Sequence, residues 1–421
     1  MRVKKAGVLS FVVFIIGMFT AHADDADVLY RMHRKSVYQI RVIENTSGEK
    51  AVIGSAFCVG TNGYLATNYH VVSLAMRYPK LYRIECVGSD KKSFSIHIKD
   101  VDVIHDLAIV RSDRNLQNPF VLNLSPLNKG ETIFSLGNPL DLGMAIVEGT
   151  YNGLLEKSFY EKILFSGSLN GGMSGGPAID ALGRVIGINV STAGKQISFL
   201  VPAKYLDGLL ARTDHSGSSG EDSLDERVEQ QLVENQRQYL SRLLDAEWTS
   251  EPFGEANIPR VQDKAMQNWG DVKRDEEALY DHTRVISRSK DWIYLSPNLS
   301  TGKVSYECSW YARGELNGIR FYNLLESDFG KSKKINGAEE EDVTNFKSQQ
   351  DFVTIAGRDW RVVLSARNYK KYPRLHDLVV KMVTVSDIDT ALMVKLELLG
   401  VTEEMGLTFV RKIMEGIQWQ N

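Results

Sequence analysis

Cysteine is scarce in this sequence, and its spacing does not fit a metal site. The three cysteines are Cys58, Cys86 and Cys308. Three thiols in an exported chain would leave at least one unpaired. Cys58 and Cys86 both fall in predicted strands, where they could form a bridge or stay as buried free thiols. The residues give no basis for a metal or any other cofactor, and we expect none.

A strong charge of either sign is also missing. The chain has 50 Lys and Arg against 53 Asp and Glu, a formal net charge of −3. Such a balance gives no bias toward nucleic acid or an anionic membrane, so we expect no nucleic-acid partner. Hydrophobic residues at 43% and charged residues at 24% are ordinary for a core-forming globular protein. The length of 421 residues allows two or three domains.

The N-terminus has the pattern of an export signal. Basic residues at positions 2, 4 and 5 precede an apolar run over residues 8–19, and Ala21-His22-Ala23 supplies small residues at a cleavage site. The run is short of the roughly 20 residues that span a bilayer, so no stable membrane anchor is expected. No cysteine follows the cleavage site for lipid attachment. We expect residues 1–23 to be removed and the protein to be periplasmic or secreted.

One glycine-rich stretch has the features of a nucleophile loop. Residues 168–177 read SLNGGMSGGP, with Ser174 between glycines and an apolar strand pattern, VIGIN, soon after. Acyl transfer needs a nucleophile beside backbone amides that stabilise an oxyanion, and glycine lets substrate approach the backbone closely. Taken alone, the same stretch is equally compatible with a flexible turn before a strand.

Two upstream stretches supply the partners that a reactive serine requires. His70 lies in the segment TNYHVV after two short strand patterns, and Asp106 lies in HDLAIV at the head of an apolar strand. A serine becomes nucleophilic when a histidine takes its proton and a carboxylate orients that histidine. Individually, His70 could be a hydrogen-bonded polar residue and Asp106 a cap. Together they predict a His-Asp-Ser triad with Ser174.

The combined motifs resemble the chymotrypsin-fold serine proteases, and most closely the bacterial HtrA/Deg branch. That branch has a Gly-Ser-rich strand, Thr-Asn-x-His-Val-Val, Asp-Leu-Ala, Gly-Asn-Pro, and Gly-x-Ser-Gly-Gly-Pro before a Val-Ile-Gly-Ile-Asn strand. The matching stretches here are residues 54–72, 106–108, 137–139 and 172–189. The resemblance covers residues 27–210, about half of the chain.

The resemblance implies two six-stranded barrels with the triad in the cleft between them. His70 and Asp106 would come from the first barrel and Ser174 from the second. The amides of Gly172 and Ser174 would form the oxyanion hole. Position 173 departs from the family, which commonly has Asn or Asp there. Met173 cannot form the ion pair by which a freed N-terminus activates many digestive relatives, and it could loosen the oxyanion loop.

The resemblance also implies a substrate site beside the serine. Its pocket would be lined by Ser168, Leu169, Val190, Ser191 and Thr192. Val190 is a second departure, because a hydroxyl residue often supports the triad carboxylate at that position. No acidic residue lies at the pocket base, so a Lys or Arg side chain would be buried unpaired. We expect small or medium apolar residues before the cut, with the extended substrate pairing along residues 191–194.

The strand patterns of the protease-like half fit this fold class. After a helical stretch at residues 27–35, alternating or apolar segments predict short strands separated by turns, as in sandwiches and barrels. They lie at residues 37–42, 54–59, 63–66, 81–87, 94–98, 107–110, 132–136, 144–151, 163–166, 185–190 and 198–201. A closing helix is predicted over 203–210. The predicted protease domain is residues 24–212.

The chain beyond that domain carries no motif of known chemistry. Residues 213–222 are Ser/Gly-rich and predict a flexible linker, and Ser223 starts a capping-box pattern before a helical stripe ending at residue 245. The stripe could pack on a flanking domain, which we favour, or self-associate. Residues 246–421 show no PDZ-type loop. Strands at 304–311, 351–355, 360–366, 378–385 and 391–399, with a helix at 402–417, predict a smaller α+β domain, and the acidic run 339–342 a solvated loop.

The sequence therefore predicts a mostly β protein, with a double six-stranded β-barrel protease domain, a helical linker and a smaller α+β C-terminal domain. The function it favours is an exported serine endopeptidase acting on unfolded or exposed polypeptides. A silent or latent protease fold that binds peptides, as a chaperone-like or scaffold protein, is the alternative. A regulatory partner at the C-terminal domain and a homo-oligomer are both compatible with the sequence.

Overall fold

The computed structural model describes residues 25–60, 62–192, 197–215, 223–273, 279–331 and 338–420. The predicted export signal lies outside these ranges, as do residues 193–194 of the predicted substrate strand. Residues 216–222 of the predicted linker also lie outside them. The first residues assigned to that linker, 213–215, still belong to a helix.

Two closed six-stranded antiparallel barrels form the protease-like half, as predicted. The first has the strand order β1-β2-β3-β6-β5-β4 and the second β10-β11-β12-β9-β8-β7. The first six strands are β1 Val37–Glu44, β2 Lys50–Cys58, β3 Tyr64–Thr67, β4 Tyr82–Val87, β5 Ser93–Asp102 and β6 Leu107–Ser112. The next six are β7 Thr132–Gly137, β8 Ala145–Leu154, β9 Ile163–Phe165, β10 Pro177–Ile179, β11 Val185–Thr192 and β12 Ser198–Pro202. The short strand β10 was not predicted from the sequence.

The C-terminal half is α+β, as predicted, and is built on one large sheet. Its seven antiparallel strands have the order β15-β16-β19-β23-β22-β21-β20. They are β15 Met266–Lys273, β16 Asp281–Ser289, β19 Val304–Ala312, β20 Lys347–Ile355, β21 Arg358–Asn368, β22 His376–Thr384 and β23 Thr390–Val401. A three-stranded sheet and a two-stranded hairpin accompany it. They contain β13 Trp248–Phe253, β14 Ala256–Val261 and β24 Gln418–Trp419, and β17 Ile293–Ser296 and β18 Leu299–Thr301.

Six α-helices in the described ranges connect and cover these sheets. They are α1 Asp25–His33, α2 Tyr69–Arg77, α3 Ala203–His215, α4 Leu224–Asp245, α5 Gly318–Gly330 and α6 Glu403–Glu415. Helix α4 begins with the capping box that the sequence predicts, since Ser223 and Glu226 exchange hydrogen bonds. Its first half packs into the core of the first barrel and its second half into the core of the C-terminal sheet. The helix therefore contacts both flanking units.

The hydrophobic core of the first barrel extends into the C-terminal half. It includes apolar side chains of the β17–β18 hairpin and of the connections around β20–β22. They are Ile293, Leu295, Leu299, Val343, Tyr369, Tyr372 and Leu375. Because these residues are almost fully buried against barrel residues, the two halves share one apolar interior.

The acidic run 339–342 is not wholly a solvated loop. The Asp342 side chain is buried and forms an ion pair with the guanidinium of Arg77 at the end of α2. The sequence-based interpretation was wrong at this residue because the partner lies in the other half of the chain.

The three cysteines are buried free thiols, and burial raises the pKa of Cys58 to about 11.

Candidate active site

A histidine and an aspartate face each other where α2 and β6 begin. Nδ1 of His70 lies 2.6 Å from Oδ2 of Asp106, and the His70 amide donates to Oδ1 at 2.8 Å. An ionised carboxylate only accepts hydrogen bonds, so Nδ1 carries the proton and Nε2 is left as a base. The backbone of Asp106 has a φ of 57°, and its carbonyl accepts from the Asn68 side chain at 2.8 Å. These contacts fix the pair at the mouth of the first barrel.

The pKa of His70 is raised above its ordinary value of 6.5. Burial of the ring is the largest single effect and by itself lowers the pKa. The charge of Asp106 and its hydrogen bond to the ring together outweigh it, because both favour the protonated imidazolium. The pair is thus suited to stabilise a cationic histidine during proton transfer.

The Ser174 hydroxyl donates to the carbonyl oxygen of Val190, at 3.0 Å. Among the described residues no hydrogen bond joins Ser174 to His70. A serine side chain changes its partner by rotation between staggered rotamers, and catalytic hydrogen bonds of unliganded sites often form only with substrate. Val190 therefore contributes through its main chain, at the point where β11 bulges against β12.

Gly175 brings the serine loop against the segment that leads into His70. Its φ is +84°, and a Cβ there would lie 2.3 Å from both the Ser55 carbonyl and the Thr67 hydroxyl. The same atom would lie 3.0 Å from the Asn68 amide. Only glycine fits this contact, because the backbones approach too closely for any side chain. The serine loop therefore lies directly against the segment that precedes the histidine helix.

Several backbone amides of the serine loop have no hydrogen-bond partner among the described residues. Met173, Gly175 and Gly176 each donate their amide to a backbone carbonyl. In the part of the chain that the structure describes, the amides of Gly172 and Ser174 have no hydrogen-bond partner. Gly172 has a φ of 92°, a conformation that L residues rarely adopt. An oxyanion hole requires unpaired backbone donors of this kind beside the nucleophile.

Two buried polar side chains hold this loop, and both were missed from the sequence. Ser55 Oγ donates to the Gly172 carbonyl at 2.7 Å and accepts from the Asn138 amide at 2.9 Å. Asn189 donates from its side chain to the Met173 carbonyl at 3.2 Å. Both side chains are fully buried. The sequence does contain one signal for them, which is a polar residue inside an otherwise apolar strand. A polar side chain is buried in such a strand only when it has hydrogen-bond partners.

The Met173 side chain points into the second barrel. It is fully buried in a cluster with Leu169, Phe165 and Ile163. A Cβ on Gly137 would lie 2.9 Å from the Met173 Cα, so the loop packs closely on β7. Met173 therefore anchors the loop by apolar packing.

The predicted pocket residues lie along the serine loop and β11. Ser168 is exposed, Val190 is half-buried, and Leu169 is buried in the barrel core. Ser191 and Thr192 pair with β12 on one side. On the opposite edge of β11, the pairing with β10 ends at Ile188. No described strand therefore pairs with Ser191 and Thr192 on that edge. An exposed edge is a site where an extended peptide can add as a strand.

In the described ranges, no group of three or more His, Cys, Asp or Glu residues is arranged to hold a metal ion. None of the described helices is long and apolar enough to cross a bilayer.

Fold and site together define a trypsin-like peptidase domain. Residues 54–188 match the family model described as trypsin-like peptidase domain. Curated relatives include HTRA serine proteases and a Protease Do-like protein, and a solved structure of Deg5 also matches, so the HtrA/Deg resemblance is confirmed. Serine protease HTRA1 of Xenopus tropicalis is 29% identical over 181 residues, which cover 41% of this chain and 38% of the relative. Mitochondrial serine protease HTRA2 of Drosophila erecta is 30% identical over 178 residues, covering 40% and 41%.

Further matches come from a plant and from solved structures. Chloroplastic Protease Do-like 1 of Arabidopsis thaliana is 27% identical, with 42% of each chain covered. The crystal structure of Deg5 matches with 29% sequence identity and a TM-score of 0.38. The match covers 44% of this chain and 91% of the Deg5 chain. The crystal structure of the serine endoprotease from Yersinia pestis matches with 21% sequence identity and a TM-score of 0.39. The match covers 46% of this chain and 67% of the Yersinia chain. The chain spans about two fifths of the length of the curated relatives it matches.

Proposed function

We propose that the protein is an exported serine endopeptidase that cuts unfolded or exposed polypeptides. The observation that carries the proposal is the hydrogen-bonded His70–Asp106 pair beside a serine loop in which the amides of Gly172 and Ser174 are unpaired. The trypsin-like match and the serine protease relatives support the same chemistry. The export pattern over residues 1–23 supports a periplasmic or secreted location.

In the proposed mechanism, Ser174 rotates from Val190 toward Nε2 of His70 when substrate binds. Its oxygen attacks the scissile carbonyl while His70 takes the proton, and Asp106 stabilises the imidazolium. The amides of Gly172 and Ser174 donate to the oxyanion, an interaction that is worth about 3 kcal/mol per donor. His70 then protonates the leaving amine, and water repeats the sequence on the acyl-enzyme.

The substrate proposal follows from the open edge of β11. An extended polypeptide would pair with Ser191 and Thr192 and place its scissile bond at Ser174, which favours unfolded segments. Ser168, Leu169 and Val190 would border the pocket for the residue before the cut. Small or medium apolar residues are proposed there, because a buried Lys or Arg would be unpaired.

A second function is favoured by one observation. The Ser174 hydroxyl is engaged by Val190 instead of by His70. If substrate binding does not rotate the Ser174 hydroxyl toward His70, the site is catalytically inactive. The protein would then bind peptides without cutting them.

Casein digestion tests the proposed function. We expect the wild-type protein to cleave casein and Ser174→Ala to have no activity. Asp106→Asn should lower kcat by about 10⁴-fold, since the carboxylate no longer selects the reactive tautomer. A matched control is Asp113→Asn, a change at an exposed aspartate outside the site. Cleavage by Ser174→Ala that equals the wild type would refute the assignment, and binding without cleavage by any variant would favour the silent alternative.

A further inference from the structure

One face of α2 contacts the C-terminal half along its whole length. The Tyr69 hydroxyl donates to the Leu295 carbonyl at 3.0 Å, Ser73 lies 3.4 Å from the Tyr294 hydroxyl, and Arg77 pairs with Asp342. Positions four residues apart share one face of a helix. Since His70 is the second residue of α2, the C-terminal half holds the helix that carries it.

The segment that makes these contacts also touches the second barrel. Asp291, just before β17, accepts hydrogen bonds from the Ser158 hydroxyl at 2.8 Å and from the Phe159 amide at 2.7 Å. Ser158 and Phe159 lie between β8 and β9. Leu295, four residues further on, is bonded to Tyr69 of the first barrel. The segment 291–295 therefore joins both barrels beside the histidine.

Alternation along β17 directs Tyr294 toward the site. Ile293 and Leu295 are 3% and 1% exposed in the shared core, whereas Tyr294 is half-buried. Successive strand residues point to opposite faces. The Tyr294 ring meets the His70 ring edge-to-face, with 6.1 Å between centroids and an interplanar angle of 79°. This lies within the favourable range for aromatic pairs.

The Tyr294 hydroxyl makes a second connection to the same histidine. It lies 3.4 Å from Ser73 Oγ, which in turn donates to the His70 carbonyl at 3.1 Å. With Ser73 donating to His70, Tyr294 is the donor to Ser73. Burial, the largest effect, and the nearby Asp106 charge both raise the pKa of Tyr294, while the Ser73 contact lowers it, with a net increase. The phenol therefore stays neutral and keeps its donor.

We infer that Tyr294 is a positioning residue for His70, supplied to the protease site by the C-terminal domain. Its ring supports one side of the imidazole and limits water access to the His70–Asp106 hydrogen bond, and its hydroxyl fixes the His70 backbone through Ser73. The inference rests on the proposed function for its kinetic consequences only. The geometry of the His70–Asp106 pair provides a second measurement that needs no turnover.

The kinetic experiment compares Tyr294→Leu and Tyr294→Phe with the wild-type full chain. Leucine keeps much of the apolar volume but removes the ring edge, and a misplacement of about 1 Å can cost on the order of 10²-fold in rate. We expect kcat to fall by about 10- to 100-fold with KM unchanged. Phenylalanine keeps the ring, so kcat should fall by only about two- to threefold, the effect of one weak hydrogen bond. Tyr322→Leu, at an exposed tyrosine on α5, is the matched control.

The second measurement is the low-field proton resonance of the His70 Nδ1–H···Asp106 hydrogen bond. We expect it in the wild type, Tyr294→Phe and Tyr322→Leu, and expect it broadened or lost in Tyr294→Leu as water exchange increases. Unchanged kcat and an unchanged resonance in Tyr294→Leu would overturn the inference, as would a rise in kcat. A wild-type protein that shows the resonance but no turnover would refute the proposed function while still testing the role of Tyr294.

Discussion

At the scale of single residues, Met173 holds the serine loop by apolar packing. The sequence suggested that an apolar residue here could loosen the loop. The side chain is instead fully buried among Leu169, Phe165 and neighbouring apolar groups. Apolar packing therefore fixes the loop on the second barrel.

An acidic residue at position 173 should lower the stability of the protein. Met173→Asp places a carboxylate in the barrel core without a cation, which we expect to lower the free energy of unfolding by about 3 kcal/mol or more. Met173→Leu keeps volume and apolarity and should cost less than about 1.5 kcal/mol. Urea unfolding of both variants measures the difference. Equal stability of the two would show that Met173 does not anchor the loop.

The pH dependence of activity should follow His70. The base must be neutral, and its pKa is raised above 6.5. Competent enzyme is therefore lost as pH falls through that raised pKa, so the acid limb of kcat/KM should have its midpoint above 6.5. A pH series with casein-derived peptide measures it. A flat profile between pH 6 and 8, or a midpoint well below 6.5, would contradict a histidine base in this pair.

The residues that perform the proposed chemistry could be predicted from the sequence, whereas those that support them could not. His70, Asp106 and Ser174 lie in short motifs that each have a chemical meaning. Ser55 and Asn189 look like ordinary strand residues until their buried partners are known. Tyr294 lies more than 200 positions from His70, and no local pattern connects the two.

At the scale of elements, α2 is the point where the two halves meet. It carries His70 on the side toward Asp106, and it presents Tyr69, Ser73 and Arg77 to the C-terminal half. The Arg77–Asp342 ion pair lies at the C-terminal end of α2 in this interface, and the two side chains are only 7% and 2% exposed. A buried pair of this kind is costly to break because the remaining charge stays in the interior.

Breaking that pair should destabilise the protein strongly. Arg77→Ala leaves Asp342 buried and unpaired, and we expect a loss of about 3–5 kcal/mol in the free energy of unfolding. The double variant Arg77→Met with Asp342→Leu removes both charges and should recover most of that loss. Arg83→Ala, which breaks the more exposed pair with Glu85, is the control and should cost less than about 1 kcal/mol. Equal effects of Arg77→Ala and Arg83→Ala would contradict the proposed interface.

The sequence predicted some elements of the C-terminal half, among them α4, β19 and β23, but missed α5 and the strands β13 to β16. The helix α4 and the strands β19 and β23 have enough residues to show their period. The hairpin strands β17 and β18 have four and three residues, too few for a pattern. Since these strands carry contacts to α2, no sequence pattern indicated that the C-terminal half reaches the site.

At the scale of the whole molecule, the two halves are joined by a common interior. Barrel residues, the start of α4 and the hairpin of the C-terminal half form one cluster. The domain boundaries after residues 212 and 245 remain predictions from the sequence. Apolar contacts of the shared core join residues on either side of them.

The shared core predicts cooperative unfolding. Opening the C-terminal half would expose apolar surface of the first barrel, so we expect scanning calorimetry of the full chain to give one transition. The signals from secondary structure and from tryptophan fluorescence should coincide. Two separated transitions, or signals that do not coincide, would show that the halves fold independently.

The measurement that tests the central claim most directly is reaction of the full chain with a fluorophosphonate, followed by peptide mapping. The reagent reports an activated serine with an oxyanion site and needs no natural substrate. We predict stoichiometric label on Ser174 in the wild type and none on that peptide in Ser174→Ala, with labelling slowed greatly in His70→Ala. No label on the wild type, or label at another serine, would contradict a working His70–Asp106–Ser174 site.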